Sequence, residues 1–479
     1  MSVFSSRRAL VPESGASLTT ATDLVPQESQ IDPRRFLCLA VVVAAQFMFV
    51  VDAFIVNVAI PSIRNDLQMS EAGIEAVIAL YQIAFATLVI TGGRLGDLHG
   101  RRNVFLLGLL GFTVTSIWCG LARSGTELIA ARLAQGAAAA LMSPQVLATI
   151  HTLFSDEARK RAFAVFGISL GLGGAAGVVV GGWLLALNLF GLGWRVIFFV
   201  NGPIGVAIAV AAWRLLPVMP GRREQHMDLI GAMLLFVGLL GLISPILCGR
   251  ELHWAWWLGL FEAGGFATLA LFLAWERRME RNGGQPLIDL ALLSDRTFLC
   301  GLLAALCFFA ANISFYFVLT MFLQTSLGLT PFQAGLTVLP LALAFVVGSR
   351  VGADIVRGCF IQLAGLAATG VTIALWPTAG AVALVPALVL FGYGQGRVMA
   401  PLFGAVLANV CHAHAGAGSG ILTTAQQTAN ASGVALVGLV YFMVRGAGSS
   451  HAAILSALVV LSALVLCAAL SLRWMRHVA

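Results

Sequence analysis

Charge is the scarcest property of this sequence. Of 479 residues, 10% are charged and 59% are apolar, with a mean hydropathy of +0.94, and Lys160 is the only lysine. No water-soluble fold of this length could carry so much apolar surface, so a soluble protein is excluded. The lack of lysine excludes an ATPase as well. A phosphate-binding loop needs a glycine-rich turn closing on Gly-Lys-Ser/Thr, and Lys160 follows Asp156-Glu157-Ala158-Arg159 instead. The eight cysteines are scattered singly, without a close pair or metal-ligand spacing, and read as small packing residues.

What the chain has in abundance is long apolar runs. A helix needs about 20 predominantly apolar residues to cross the hydrocarbon. Fourteen such runs occur, at 36–60, 73–97, 103–123, 126–153, 160–187, 195–216, 227–247, 255–276, 298–324, 331–356, 358–377, 381–408, 416–445 and 452–474. Their Leu, Ala, Val and Gly do not alternate as the strands of a barrel would. The fold class is an all-α polytopic membrane protein.

Residues 1–34 are polar, lack an apolar signal core and read as a flexible cytoplasmic tail. With the N-terminus inside, most arginines fall on the inner side and only Arg64, Arg123, Arg195, Arg250 and Arg445 face out. That asymmetry predicts both termini in the cytoplasm. It also absorbs the net charge of +7, so no nucleic-acid partner is needed. Trp254, Trp256 and Trp257, beside Arg250 and His253, read as an interfacial anchor.

The chain repeats itself. GGRLG at Gly92–Gly96 returns as GSRVG at Gly348–Gly352, each at the inner end of a span with an acid beside it, Asp97 or Asp354. RLAQGAAAALMSPQVLATI from Arg132 aligns with GYGQGRVMAPLFGAVLANV from Gly392, setting Gln135 on Gln395 and Gly136 on Gly396. The offset is eight spans, so spans 1–6 match spans 9–14 in the same orientation, as parallel repeats require. The domains expected are the tail 1–34, a six-helix bundle 35–217, a linker with spans 7 and 8 at 218–296, and a second six-helix bundle 297–479.

GGRLGDLHGRR resembles the loop between spans 2 and 3 of the major facilitator superfamily. VDAFIVNVAIPSI at Val51–Ile63 resembles the first span of its fourteen-span drug:proton antiporters, the EmrB/QacA type. ARLAQGAAAALMSP, GWRVIFFVNGPIG and GLTPFQAGLTVLP resemble the fourth span, the entrance to the sixth and the loop opening the tenth. The chain departs from the fifth-span pattern Gly-Pro-x-x-Gly-Gly, with Val178 in place of the proline. The resemblance implies a bacterial inner-membrane exporter of amphipathic compounds that uses the proton gradient and no cofactor. A periplasmic adaptor and an outer-membrane channel are partners it allows.

Charges within spans are the candidates for transport chemistry, because burial there costs several kcal/mol unless the group is paired or lines a cavity. Asp52 lies about 12 Å and Arg132 about 9 Å from the outer ends of spans 1 and 4, at 1.5 Å per residue. Similar depth makes Asp52 a candidate proton acceptor and Arg132 its tuner, with a fixed structural ion pair as the alternative. In the superfamily both spans line the central cavity, which adds Asn57, Gln135 and Gln395 to the expected substrate cavity. Arg397, mid-span in the twelfth helix, is expected either to bind an anionic substrate group or to answer Asp52. Glu262 in span 8 is a weaker candidate, and His412 and His414 read as solvated loop residues.

Asp97 would sit unfavourably at a helix C-terminus unless cations answered it. Arg101 and Arg102 are within reach, and Gly93, Gly96 and Gly100 allow a tight turn and close helix approach. The expectation is a conformational latch, with a plain positive-inside loop as the alternative and Asp354 with Arg357 as a degenerate copy. Gly173, Gly177 and Gly181, with Gly182 beside them, give span 5 a small-residue face, expected to be a sliding contact between halves. Gly167-Ile168-Ser169-Leu170-Gly171 mimics a nucleophile elbow and Gly171–Ala176 a dinucleotide loop, but both sit within an apolar helix and lack the strand those motifs need.

Overall fold

A computed structural model describes residues 34–478 apart from 155, 219–227, 250, 251, 285, 289, 291, 352, 353, 377–379, 408–414 and 447. Nearly all of the expected tail, and Arg250, His412 and His414, lie outside the described residues. The first six spans are α1 (Arg35–Leu67), α2 (Glu71–His99), α3 (Arg101–Leu121), α4 (Gly125–Leu153), α5 (Asp156–Leu187) and α6 (Gly193–Leu215). A hairpin follows, α7 (Leu229–Cys248) and α8 (Trp257–Arg281). The last six are α9 (Arg296–Thr325), α10 (Pro331–Arg350), α11 (Ile355–Leu375), α12 (Ala381–Leu407), α13 (Ala415–Gly446) and α14 (Ser450–Val478). Thirteen of these helices are long and apolar enough to cross a membrane, and α5, bent by 41° between Val165–Gly174 and Ala176–Leu187, makes the fourteenth.

Local chemistry sets the ends. Ser70 and Ser124 cap α2 and α4 by accepting from the amides of Gly73 and Glu127, and Asp295 caps α9. Thr330 and Gln333 form a reciprocal capping box on α10 with Pro331 in its first turn. Gly100, at φ +90°, makes the abrupt break between α2 and α3, a backbone region that L side chains resist.

The duplication is visible in the packing. A Cβ on Gly92 or Gly136 would collide with the carbonyls of Ala140 and Tyr81, so glycine lets α2 and α4 touch backbone to backbone. Gly348, Gly392 and Gly396 do the same for α10 and α12. The two six-helix sets meet along two seams, α5 against α10 and α2 against α13. The inserted α7 packs on both α2 and α13 and so bridges the second seam, and α8 packs on α7. Only 17% of the apolar window of α8 is buried, against 83% for α9, which places α8 at the periphery and α9 at the centre.

The glycine face of α5 corrects one expectation. Gly173, Gly177 and Gly181 pack against Val50, Phe54 and Ile55 of α1, within the same half. The contact between halves uses Gly171, against Phe345, and Gly182, against Pro331 and Phe332. Four-residue spacing selects one stripe, whereas Gly171 and Gly182 are three helical turns apart and share another.

Candidate functional site

Asp52 and Arg132 meet. Arg132 Nη1 donates to Asp52 Oδ2 at 2.6 Å, and the two side chains are 0% and 1% exposed. Asp52 Oδ1 accepts two further bonds, from Gln135 Nε2 at 3.0 Å and from Asn201 Nδ2 at 2.8 Å. Three donors thus converge on one carboxylate. Arg132 also bonds Gln135 Oε1 at 2.8 Å and lies over the Tyr81 ring at 3.9 Å.

The cage draws on five helices of the first half: Asp52 from α1, Tyr81 from α2, Ser116 and Cys119 from α3, Arg132 and Gln135 from α4, and Asn201 from α6. Asn201 donates to Ser116 Oγ at 3.0 Å, and Ser116 in turn to the Phe198 carbonyl at 2.9 Å. Cys119 Sγ donates to Gln135 Oε1 at 3.5 Å. Asn201, Ser116, Cys119 and Tyr81 were not expected from sequence. Only Asn201 carried a signal, as the polar residue of GWRVIFFVNGPIG. In this conformation the pair is sealed, and no substrate could touch it without a helix moving.

The other expected cavity residues separate. Asn57 is 0% exposed, and neither its amide nitrogen nor its oxygen has a partner. Gln395 Oε1 accepts from Tyr316 of α9 at 3.1 Å. Arg397 does not answer Asp52, whose partners all lie in the first half. Its Nη1 donates to Tyr393 at 3.3 Å, its Nε is buried without a partner, and its Cβ faces Gly358 of α11. Glu262 is exposed on α8.

At the α2–α3 break, Arg101 donates to Asp97 Oδ1 at 3.2 Å through both Nε and Nη2. Its Nη1 reaches α4, at Ala148 O (3.2 Å) and Thr152 Oγ1 (2.7 Å). Arg102 takes no part: it turns away and donates to the Trp213 carbonyl at the end of α6. The tight approach comes from Gly96, over the Gln145 amide, while Gly93 is at ordinary contact distance from Pro144, 3.6 Å. The second copy is a local pair on α11, with Arg357 Nε 3.2 Å from Asp354. Two inter-half hydrogen bonds stand out, Gln324 Nε2 to Val58 O at 2.9 Å and Thr424 Oγ1 to Ala86 O at 3.0 Å.

Known proteins resemble the chain over most of its length. The chain is 37% identical over 450 residues to a probable actinorhodin transporter of Streptomyces coelicolor, covering 91% of this chain and 77% of that one. It is 34% identical to the puromycin resistance protein pur8 of Streptomyces alboniger, over 87% and 84% of the two chains. With the cephamycin export protein CmcT of Amycolatopsis lactamdurans it shares 36%, over 86% and 85%. The crystal structure of the POT family transporter PepTSo superposes with a TM-score of 0.65 over 93% of this chain and 98% of that one, at 14% identity, a likeness of fold alone. The Major Facilitator Superfamily model matches residues 42–434. The chain belongs to the major facilitator superfamily.

Proposed function

We propose that this protein is a proton-coupled exporter of hydrophobic or amphipathic compounds, working by alternating access in the bacterial cytoplasmic membrane with both termini in the cytoplasm. The observation that carries the reading is the sealed Asp52–Arg132 pair. A carboxylate held by three donors gives up its charge only if Arg132 withdraws, so protonation and helix movement are one event. The energy comes from the proton gradient, and no cofactor enters. Export as the direction is supported by the relatives, two of them export or transport proteins and one a resistance protein by name.

The test is flux in proteoliposomes that contain this chain alone. A pH gradient should drive wild-type accumulation of an amphipathic antibiotic, and Asp52→Asn should bind the compound but not accumulate it. Unchanged accumulation by Asp52→Asn would overturn the coupling role.

A second reading, a dedicated exporter of an anionic metabolite or lipid, is favoured by Arg397, whose Nε is buried without a partner. A guanidinium with an open donor can take a carboxylate or phosphate. Binding of a matched anionic and cationic pair to wild type and Arg397→Ala decides it: an unaltered ratio rejects the substrate role.

A further inference from the structure

The hairpin inserted between the halves holds two buried acids. Asp228, which caps α7, is 4% exposed, and Glu276, near the end of α8, is 0% exposed. Asp228 accepts on both oxygens: Oδ1 receives the Gly231 amide at 2.8 Å, and the Trp275 indole N–H lies 3.1 and 3.2 Å from its two oxygens. Glu276 Oε2 accepts the Ile288 amide at 2.9 Å, but Glu276 Oε1 is buried with no partner.

That orphan oxygen points at Asp228. A Cβ added to Gly231 would stand 2.6 Å from Glu276 Oε1 and nearer still to Asp228 Oδ2, so both oxygens crowd the space that the missing side chain leaves. Two carboxylates sharing one dry site cannot both be ionised. Donors fill Asp228 while Glu276 Oε1 has none, which locates a proton on Glu276 Oε1 donated toward Asp228 Oδ2.

We propose that Asp228 and Glu276 form a second proton-binding site, separate from Asp52, and that its proton holds the hairpin and the segment after it against α2. Arg94 of α2 completes the lock. It donates to the Pro286 carbonyl, two residues before the amide that Glu276 accepts, and lies within electrostatic reach of both acids. With one proton bound, the pair carries a single negative charge facing one guanidinium. Loss of the proton adds a second negative charge to a dry site, repels the carboxylates and loosens the contact.

Arg277, Arg278, Glu280 and Arg281 of α8 are exposed, α7 has no charged side chain beyond its cap, and the one charge of α13 is Arg445 at its far end. Arg94 sits between Gly93 and Gly96, so the lock acts on the end of α2 that carries Asp97, the partner of Arg101 on α3.

Infrared difference spectroscopy of the purified full-length protein tests the site directly. Wild type at neutral pH should show the carbonyl stretch of a protonated buried carboxyl, lost on raising the pH. The band should be absent from Glu276→Gln and present in Asp52→Asn, which separates this site from the coupling acid. Hydrogen exchange over 286–290 is the second readout. Protection should fall with rising pH in wild type beyond the intrinsic rate, and stay high in Glu276→Gln, whose neutral amide mimics the protonated acid. A neutral-pH carboxyl band unchanged by Glu276→Gln, or pH-dependent loss of protection equal in both proteins, overturns the proposal.

Discussion

The hydroxyl of Tyr316 donates to Oε1 of Gln395 at 3.1 Å, joining α9 to α12. In the first half Gln135 of α4 donates to Asp52 of α1 at 3.0 Å, and the register that sets Gln135 on Gln395 sets Arg132 on Gly392 and Asp52 on Asn312. The second half keeps a polar link there and, among the described residues, carries no ion pair with it.

If Asp52 and Arg132 are held as seen, Arg132→Ala leaves a buried carboxylate unanswered and should destabilise the protein by about 3–5 kcal/mol. Asp52→Asn combined with Arg132→Met should recover most of that stability but not gradient-driven transport. Thermal unfolding in detergent checks the first point, and equal melting temperatures for the single and double variants would contradict it.

Asn201→Ala removes one of the three donors on Asp52, a bond to a charged group worth about 1.5–3 kcal/mol. Thermal stability should fall by about that amount and gradient-driven transport should weaken. Substrate binding affinity should be unaffected. Unchanged stability with weakened binding would instead make Asn201 a substrate contact.

The α2–α4 contact discriminates sharply between neighbouring glycines. Gly92→Ala and Gly136→Ala would drive a methyl into a backbone carbonyl, and both should fail to accumulate as folded protein. Gly93→Ala meets only Pro144 at 3.6 Å and should express normally. Size-exclusion profiles of fluorescent fusions compare the three, and a monodisperse Gly136→Ala would refute the packing.

Arg101 ties α2 to α4 through Thr152 and Ala148 as well as to Asp97. Arg101→Ala should therefore disturb transport more than Asp97→Asn, and Arg102→Ala, which frees only the end of α6, should disturb it least. Initial rates in everted vesicles rank the three. Equal losses from Asp97→Asn and Arg102→Ala would restore the two-arginine latch.

The spans and the ion pair were legible in the sequence for the same reason: a charge or a polar break in an apolar run is conspicuous, and its cost demands an explanation. Asn201 was not conspicuous. An uncharged amide in a helix is cheap, and its partner Asp52 lies 149 positions away in the chain. Glu276 was hidden differently, inside WERRMER at a span end, where charges ordinarily face the interface. Arg397 drew attention as a mid-span charge, but spacing could not show that its Cβ faces α11 rather than the first half. The glycines of α5 were legible as a packing stripe, and only their azimuth decided which neighbour they served.

The bridge that α7 makes across α2 and α13 leaves the molecule lopsided toward its solvent, the lipid. On that side a third helix roofs the joint between the bundles. On the opposite side no further span packs over α5 and α10 among the described residues, and Leu172 and Trp183 of one and Leu343 and Val347 of the other turn outward. Seen from within the bilayer, the two flanks are a shuttered window and a bare one.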